Sequence, residues 1–252
     1  MTNIILCGCA GRMGKAVCAA AQNDIAIIAG VDINASNLGA ALPFPVYESI
    51  FDFSGKADVI VDFSHHSSLP SLLKYAKETH TPLVVATTGH TEEELRLMHE
   101  SAAEVAIFHS GNFSIGINLL VNLAKQAART LGLDFDIEII EKHHNKKLDA
   151  PSGTAIMIAD GVAAEREKSE YVYDRHSVRK ARETQEIGIH SVRGGTIVGE
   201  HEILFAGNNE TISISHSAAS REIFATGALR AAVYLSQKNV GLYNMSDLIE
   251  GK

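Results

Sequence analysis

The residues best equipped for chemistry lie in one stretch, Lys142-His143-His144-Asn145-Lys146-Lys147, which continues as Leu148-Asp149-Ala150-Pro151-Ser152-Gly153-Thr154-Ala155. Histidine is the side chain best suited to giving up a proton near neutrality, and a substrate that has taken a hydride needs a proton at the position left electron-rich. His143 is therefore the candidate acid. Lys147 is the candidate for neutralising a carboxylate or steadying negative charge on a reacting ring, and His144 or the Thr154 hydroxyl for orienting the substrate. Asp149 and Pro151 imply an irregular loop, after which Ser152 can cap a helix through Ala155, Ile156 and Ile158. Gly153 and Thr154 then stand at the positive end of that helix, which suits a carboxylate. Taken alone, His-His-x-x-Lys more often describes a solvated basic loop. Adjacent imidazoles also raise a metal site, but no cysteine stands nearby and no His-x-x-x-His pairing occurs, so no metal is expected.

Such a loop needs a scaffold, and a strand over 136–141 leads into it. Upstream, short apolar runs alternate with helical patterns at 4–7, 12–21, 25–31, 59–63, 67–79, 83–86, 91–104 and 105–109. That rhythm predicts an α/β fold, a Rossmann-like doubly wound parallel sheet with helical crossovers. Thr91 with Glu94 forms a capping box, and Pro70 suits the first turn of its helix. After Asn112-Phe113-Ser114 the pattern changes to a long helix over 115–131, the strand over 136–141, alternation at Ile187, Ile189 and Ser191, and strands over 196–205 and 211–217. Consecutive strands of this kind predict a second, α+β domain for substrate binding and oligomerisation. The expected division is 1–113 with 223–252 for the dinucleotide domain, the helix over 223–235 returning to it, and 114–222 for the second.

Between the first strand and first helix runs Gly8-Cys9-Ala10-Gly11-Arg12-Met13-Gly14, and the second strand ends at Val31-Asp32. Glycines let backbone approach a pyrophosphate, the helix start supplies N–H groups and positive dipole, and Asp32 can accept from ribose hydroxyls. Ala10 replaces the usual second glycine. A P-loop is excluded, because Cys9 stands where its first glycine belongs and Ala16 where magnesium needs Ser or Thr. Asp32 favours NADH by opposing a 2′-phosphate, while Arg12 is placed to pair with one, so NADH, NADPH or both remain open. Ala86-Thr87-Thr88-Gly89 and Ser110-Gly111-Asn112-Phe113 follow the fourth and fifth of these strands, at the sheet edge where ligands bind, and are expected to face the nicotinamide half. As isolated segments both could equally be tight connections.

A formal charge of −8 over 252 residues argues against a nucleic-acid partner and against an NADH-sensing DNA-binding regulator, which would need a basic helix-turn-helix or winged segment. Cys7, Cys9 and Cys18 build no disulfide framework, and the N-terminal apolar run is too short for a signal or a membrane span. A reducing, cytoplasmic setting is expected. No internal repeat or low-complexity tract competes.

The series of motifs resembles the dihydrodipicolinate reductase family over nearly the whole length. Gly8 to Gly14 is similar to the family's cofactor loop, Thr87-Thr88-Gly89 and Asn112-Phe113-Ser114 to its later cofactor segments, and Glu141 to Ala155 to its hallmark. Ser191-Val192-Arg193-Gly194-Gly195, Val198-Gly199-Glu200-His201 and the run from His216 through Ser220-Arg221 to Gly227-Ala228 agree as well. The resemblance implies His143 as proton donor, Lys147 as a second catalytic or substrate-binding group, His144 as a substrate contact and Gly153-Thr154 as holders of a carboxylate. It also implies a nicotinamide cofactor, a small dicarboxylate substrate and a homotetramer assembled through the second domain's sheet. Ile33 stands where some relatives carry a basic residue, which leaves the cofactor preference open. Another amino-acid or aldehyde dehydrogenase on the same cofactor domain is the alternative, since a Rossmann sheet does not specify chemistry.

Overall fold

The computed structural model of the chain describes residues 1–22, 24–38 and 42–251. In chain order the elements are β1 (Thr2–Cys7), α1 (Arg12–Ala20), β2 (Ile25–Val31), α2 (Ala35–Leu38), β3 (Val46–Tyr47), β4 (Val59–Asp62), α3 (Leu69–Thr79), β5 (Leu83–Val85), α4 (Glu92–Ser101), β6 (Ala106–His109), α5 (Ile115–Leu131), β7 (Asp136–His143), α6 (Gly153–Ala163), β8 (Glu170–Val172), β9 (Glu186–Arg193), β10 (Gly199–Ala206), β11 (Thr211–Ala218), α7 (Glu222–Leu235), β12 (Gly241–Tyr243) and α8 (Met245–Glu250). They form two compact units, Met1–Ser114 with the chain from Glu222 onward, and Ile115–Arg221.

In the first unit a seven-stranded sheet has the order β12-β6-β5-β4-β1-β2-β3, with every pairing parallel. Ile4, Ile5 and Leu6 of β1 and Val59, Ile60 and Val61 of β4 are wholly buried. Helices therefore cover both faces, which is why these strands read as unbroken apolar runs. The strand order reverses between β1 and β4, so a crevice opens at their carboxyl ends. The capping box of Thr91 and Glu94 starts α4, and Pro70 lies in the first turn of α3.

The second unit holds a five-stranded mixed sheet, β11-β10-β7-β9-β8. Here β10 runs antiparallel to β7 and β11, while β9 runs parallel to β7 and β8. Ile137, Ile139, Ile187, Ile189, Ile203 and Phe205 form its core with Leu120 and Ala124 of α5 and Ile158 and Val162 of α6. Among the described residues no helix is long and apolar enough to cross a membrane.

Several element limits differ from expectation. The strand expected to stop at 141 runs through His143, so His143 is the last residue of β7 and not part of the loop. The strand expected from 196 begins at Gly199, because Gly195, with φ +49°, belongs to the preceding turn. The strands β3, β8 and β12 have two or three residues each, too few to display a period, and were not foreseen.

Candidate active site

Along β7 alternate residues are buried, so Glu141 and His143 share the core-facing side with Ile137 and Ile139. Glu141 has no exposed surface. Its Oε2 lies 2.5 Å from His143 Nδ1, and its two oxygens accept from Arg193 Nη2 at 2.7 Å and Nη1 at 2.8 Å. Register explains the meeting, since β9 places Ser191 beside Glu141 and Arg193 beside His143. On the other side of β7, His201 of β10 stands opposite Glu141, its ring centroid 5.2 Å from that of His143. The His143 Nε2 edge leans over Gly199, where a Cβ would stand 3.1 Å away. A methyl group at 199 would press on that nitrogen and require the ring to give by a few tenths of an ångström.

The loop after β7 is tied down at several points. Gly194 N–H donates to the His143 carbonyl at 2.9 Å, Asn145 N–H to that of Gly195 at 3.2 Å, and Arg193 Nη2 to that of Asp149 at 2.7 Å. Lys147 Nζ pairs with Asp149 Oδ2 at 2.8 Å, and Arg221 Nη2 reaches His144 Nε2 at 3.4 Å. Ser152 caps α6 by accepting the Ala155 N–H. The Ser152 backbone N–H donates to Glu141 Oε1 at 3.2 Å, and its hydroxyl meets His201 Nε2 at 3.0 Å. The positive end of α6 at Gly153 and Thr154 is thereby keyed to the strand that carries His143. His143, His144 and Lys147 thus join Arg193 and Arg221 in one basic site.

Burial would raise the Glu141 carboxyl, but hydrogen bonds from Arg193, Ser191 and His143 overcome it and hold the group down at about 2. Burial lowers His143 against the opposing pull of Glu141. It also pushes His201 down to about 4, with the charge of His143 adding to the effect. His201 regains its ordinary value of 6.5 on unfolding, so between pH 6.5 and 4 the unfolded chain binds a proton the folded chain refuses. Stability then falls as pH falls through that window, by about 3 kcal/mol from this group. Glu141 adds loss of the same sign below its ordinary value of 4.5. Urea unfolding at a series of pH values from 7 to 4 is expected to show this decline, and a flat series would contradict it.

In the first unit, Gly8, Ala10, Gly11 and Asp32 line one cavity of about 560 Å³ at the carboxyl ends of β1 and β2. Gly8 has φ +74°, and a Cβ there would lie 2.5 Å from the Phe63 carbonyl oxygen. Gly11, the N-cap of α1, offers no side chain to its first turn, so backbone alone faces a ligand there. Asp32 is oriented by the Ala10 and Asn34 N–H groups, each at 3.0 Å. Bare backbone at a helix start with a carboxylate beyond it fits a dinucleotide. Cys9 is fully buried, its sulfur packed toward Gly30, and it does not line the cavity. Arg12 is exposed and Met13 half-buried in the first turn of α1.

The remaining predicted cofactor residues follow β5 and β6 and do not line this cavity. Thr87 is buried and its hydroxyl donates to Asp62 Oδ2 at 2.7 Å; Ala86 is half-buried and Thr88 exposed. Ser110 to Asn112 form a self-bonded turn through the Ser110 hydroxyl, with Gly111 exposed. The Phe113 ring packs against Phe108 in the core.

Residues 2–113 match the family described as dihydrodipicolinate reductase, N-terminus, and residues 116–249 match dihydrodipicolinate reductase, C-terminus. The chain belongs to the dihydrodipicolinate reductase family. It is 51% identical over 253 residues to 4-hydroxy-tetrahydrodipicolinate reductase of Caldanaerobacter subterraneus subsp. tengcongensis, covering 99% of each chain. With the protein of the same name from Clostridium tetani it shares 48% identity over 252 residues, covering 99% of this chain and 97% of that one. A dipicolinate-bound dihydrodipicolinate reductase from Paenisporosarcina sp. TG-14 superposes with a TM-score of 0.80 at 26% identity, covering 97% of each chain. The resemblance read from the motifs is borne out, and with it a Rossmann-type reductase using a nicotinamide cofactor.

Glu141, Arg193, Gly199, His201 and Arg221 had appeared only as parts of matching motifs, without roles. For Glu141 the i, i+2 spacing to His143 on one strand was a usable signal. For Arg193 and His201 no local signal exists, because register between distant strands brings them in.

Proposed function

We propose that the chain reduces 4-hydroxy-tetrahydrodipicolinate to tetrahydrodipicolinate with loss of water, in the cytoplasmic diaminopimelate route to lysine. The observation that carries this reading is the buried Glu141–His143 pair beside the positive end of α6, in a chain of this family. The nicotinamide cofactor supplies the hydride. Backbone of Gly8, Cys9, Ala10, Gly11, Arg12 and Met13 receives the pyrophosphate and Asp32 the ribose, while Ala86, Thr87, Thr88 and Ser110 to Phe113 serve the nicotinamide half.

On the substrate side, Gly153 and Thr154 at the helix end hold one carboxylate, and Lys147 with His144 balances the dianion. His143 gives its proton from Nε2 to the enamine-like position left after reduction. Burial holds that ring below its ordinary value, and the negative charge of a bound dicarboxylate would pull it back up, toward the charged form an acid needs. The reading includes a homotetramer built through the second unit's sheet, which light scattering of the purified chain tests.

NADH is the preferred cofactor in this reading. Asp32 and Glu48 both line the cavity, and no lysine or arginine does among the described residues. A contact worth about 1.4 kcal/mol against a 2′-phosphate makes kcat/KM for NADH about tenfold higher. The test generates the hydroxy substrate enzymatically and follows NADH and NADPH oxidation separately. Oxidation that requires the substrate, is faster with NADH, and is inhibited competitively by dipicolinate is the expected result. Oxidation indifferent to the substrate would end the functional reading, and a preference for NADPH would end the cofactor assignment.

A further inference from the structure

We propose that Glu141 is a positioning residue that serves both halves of the reaction site: it sets which nitrogen of His143 reacts, and it fixes the start of α6 relative to that nitrogen. The proposal rests on the reading of His143 as the acid.

A carboxylate offers about four lone-pair positions. In Glu141 the Oε1 atom takes Arg193 Nη2 and the Ser152 backbone N–H, Oε2 takes Arg193 Nη1 and His143 Nδ1, and the Ser191 side chain is a further donor to the group. An ionised carboxylate only accepts, so His143 carries hydrogen on Nδ1 and presents Nε2 as the atom that gives or takes a proton. Nε2 is also the atom that leans over Gly199. The other oxygen reaches eleven residues along the chain to Ser152, the residue that caps α6. One rigid group thus holds both the acid and the helix end assigned to a substrate carboxylate.

Stability gives little reason for this arrangement. The same face of β7 carries Ile137 and Ile139, and a third aliphatic residue would fill a core position without the desolvation cost of a buried carboxylate and guanidinium. Arg193 keeps Glu141 ionised from β9, and His201 holds the Ser152 hydroxyl from β10, where burial keeps its ring near 4 and so uncharged. The charged and titratable groups around His143 are Glu141 on its own strand, Arg193 on β9, His201 on β10 and Lys147 in the following loop. Of these only Glu141 favours the charged ring.

Glu141→Gln keeps the shape but removes the charge and sets an amide N–H₂ against groups that all donate. In the full chain kcat is expected to fall about tenfold to a hundredfold, within the range a positioned acid contributes. KM for the hydroxy substrate rises as the start of α6 loosens, and the NADH dissociation constant stays at the parent value. The alkaline limb of the kcat/KM profile moves to lower pH, a shift that looser packing alone would not give. Glu141→Asp, which keeps the charge, recovers part of kcat. Should Glu141→Gln not fold, ¹⁵N spectra of the ring nitrogens in the parent decide the point, with His143 assigned from the signal missing in His143→Gln. Hydrogen on Nδ1 of the neutral ring supports the proposal; hydrogen on Nε2 overturns it. An active parent with an inactive His143→Gln and a Glu141→Gln variant of unchanged kcat and pH profile overturns it too, and leaves the functional reading intact. A parent that oxidises neither NADH nor NADPH with the substrate defeats the functional reading itself.

Discussion

His143→Gln is expected to lower turnover by roughly a hundredfold or more, the usual contribution of a positioned acid, and to leave NADH affinity unchanged. Glutamine spans nearly the same distance from β7 and can still hydrogen-bond to Glu141. It has no proton to release near neutrality. The loss is expected to fall on kcat at saturating substrate, because the proposed acid acts on the reacting position and not on ground-state binding. NADH binding is spared because the pyrophosphate loop and Asp32 belong to the other compact unit. Steady-state turnover with saturating NADH, beside the NADH dissociation constant from fluorescence titration, checks both halves. Turnover equal to that of the parent would remove His143 from the mechanism.

Gly14→Ala is expected to abolish useful cofactor affinity, raising the NADH dissociation constant by about a hundredfold, which corresponds to about 2.7 kcal/mol. A Cβ at this first-turn position of α1 would sit 2.3 Å from the Gly8 carbonyl oxygen and 2.6 Å from the Cys9 Cα. Both are backbone atoms of the turn that lines the cavity, so no rotamer relieves the clash. Helix and turn must separate, and the amides aimed at the pyrophosphate move with them. Overpacking of this kind also costs about 1 to 3 kcal/mol of stability. Calorimetric titration with NADH and a thermal melt measure the two effects; parent-like affinity would show that the turn tolerates the methyl group.

The parallel sheet was legible because its strands are buried on both faces and its crossovers carry their own start signals, such as Thr91 with Glu94. Strands β3, β8 and β12 were not, since edge strands of two or three residues are made by pairing with a longer neighbour and not by a pattern of their own. The end of β7 was misplaced for a related reason. Lys142, His143 and His144 read as loop residues by type, yet β9 and β10 extend the ladder past Glu141 and draw His143 into the strand.

The local chemistry was therefore written in the sequence: a glycine turn before a helix, an acidic residue after the second strand, a histidine and lysine before a serine-capped helix. Each depends on residues near one another in the chain, whose caps, turns and periods follow from short-range sterics and hydrogen bonding. Only the tertiary structure decided which nitrogen of His143 is presented and how the helix end is held beside it. Those depend on Glu141 meeting Arg193 across fifty-two residues and Ser152 meeting His201 across forty-nine. Strand register sets such distances, and register is a property of the whole sheet, fixed by its buried apolar face, which no single segment encodes.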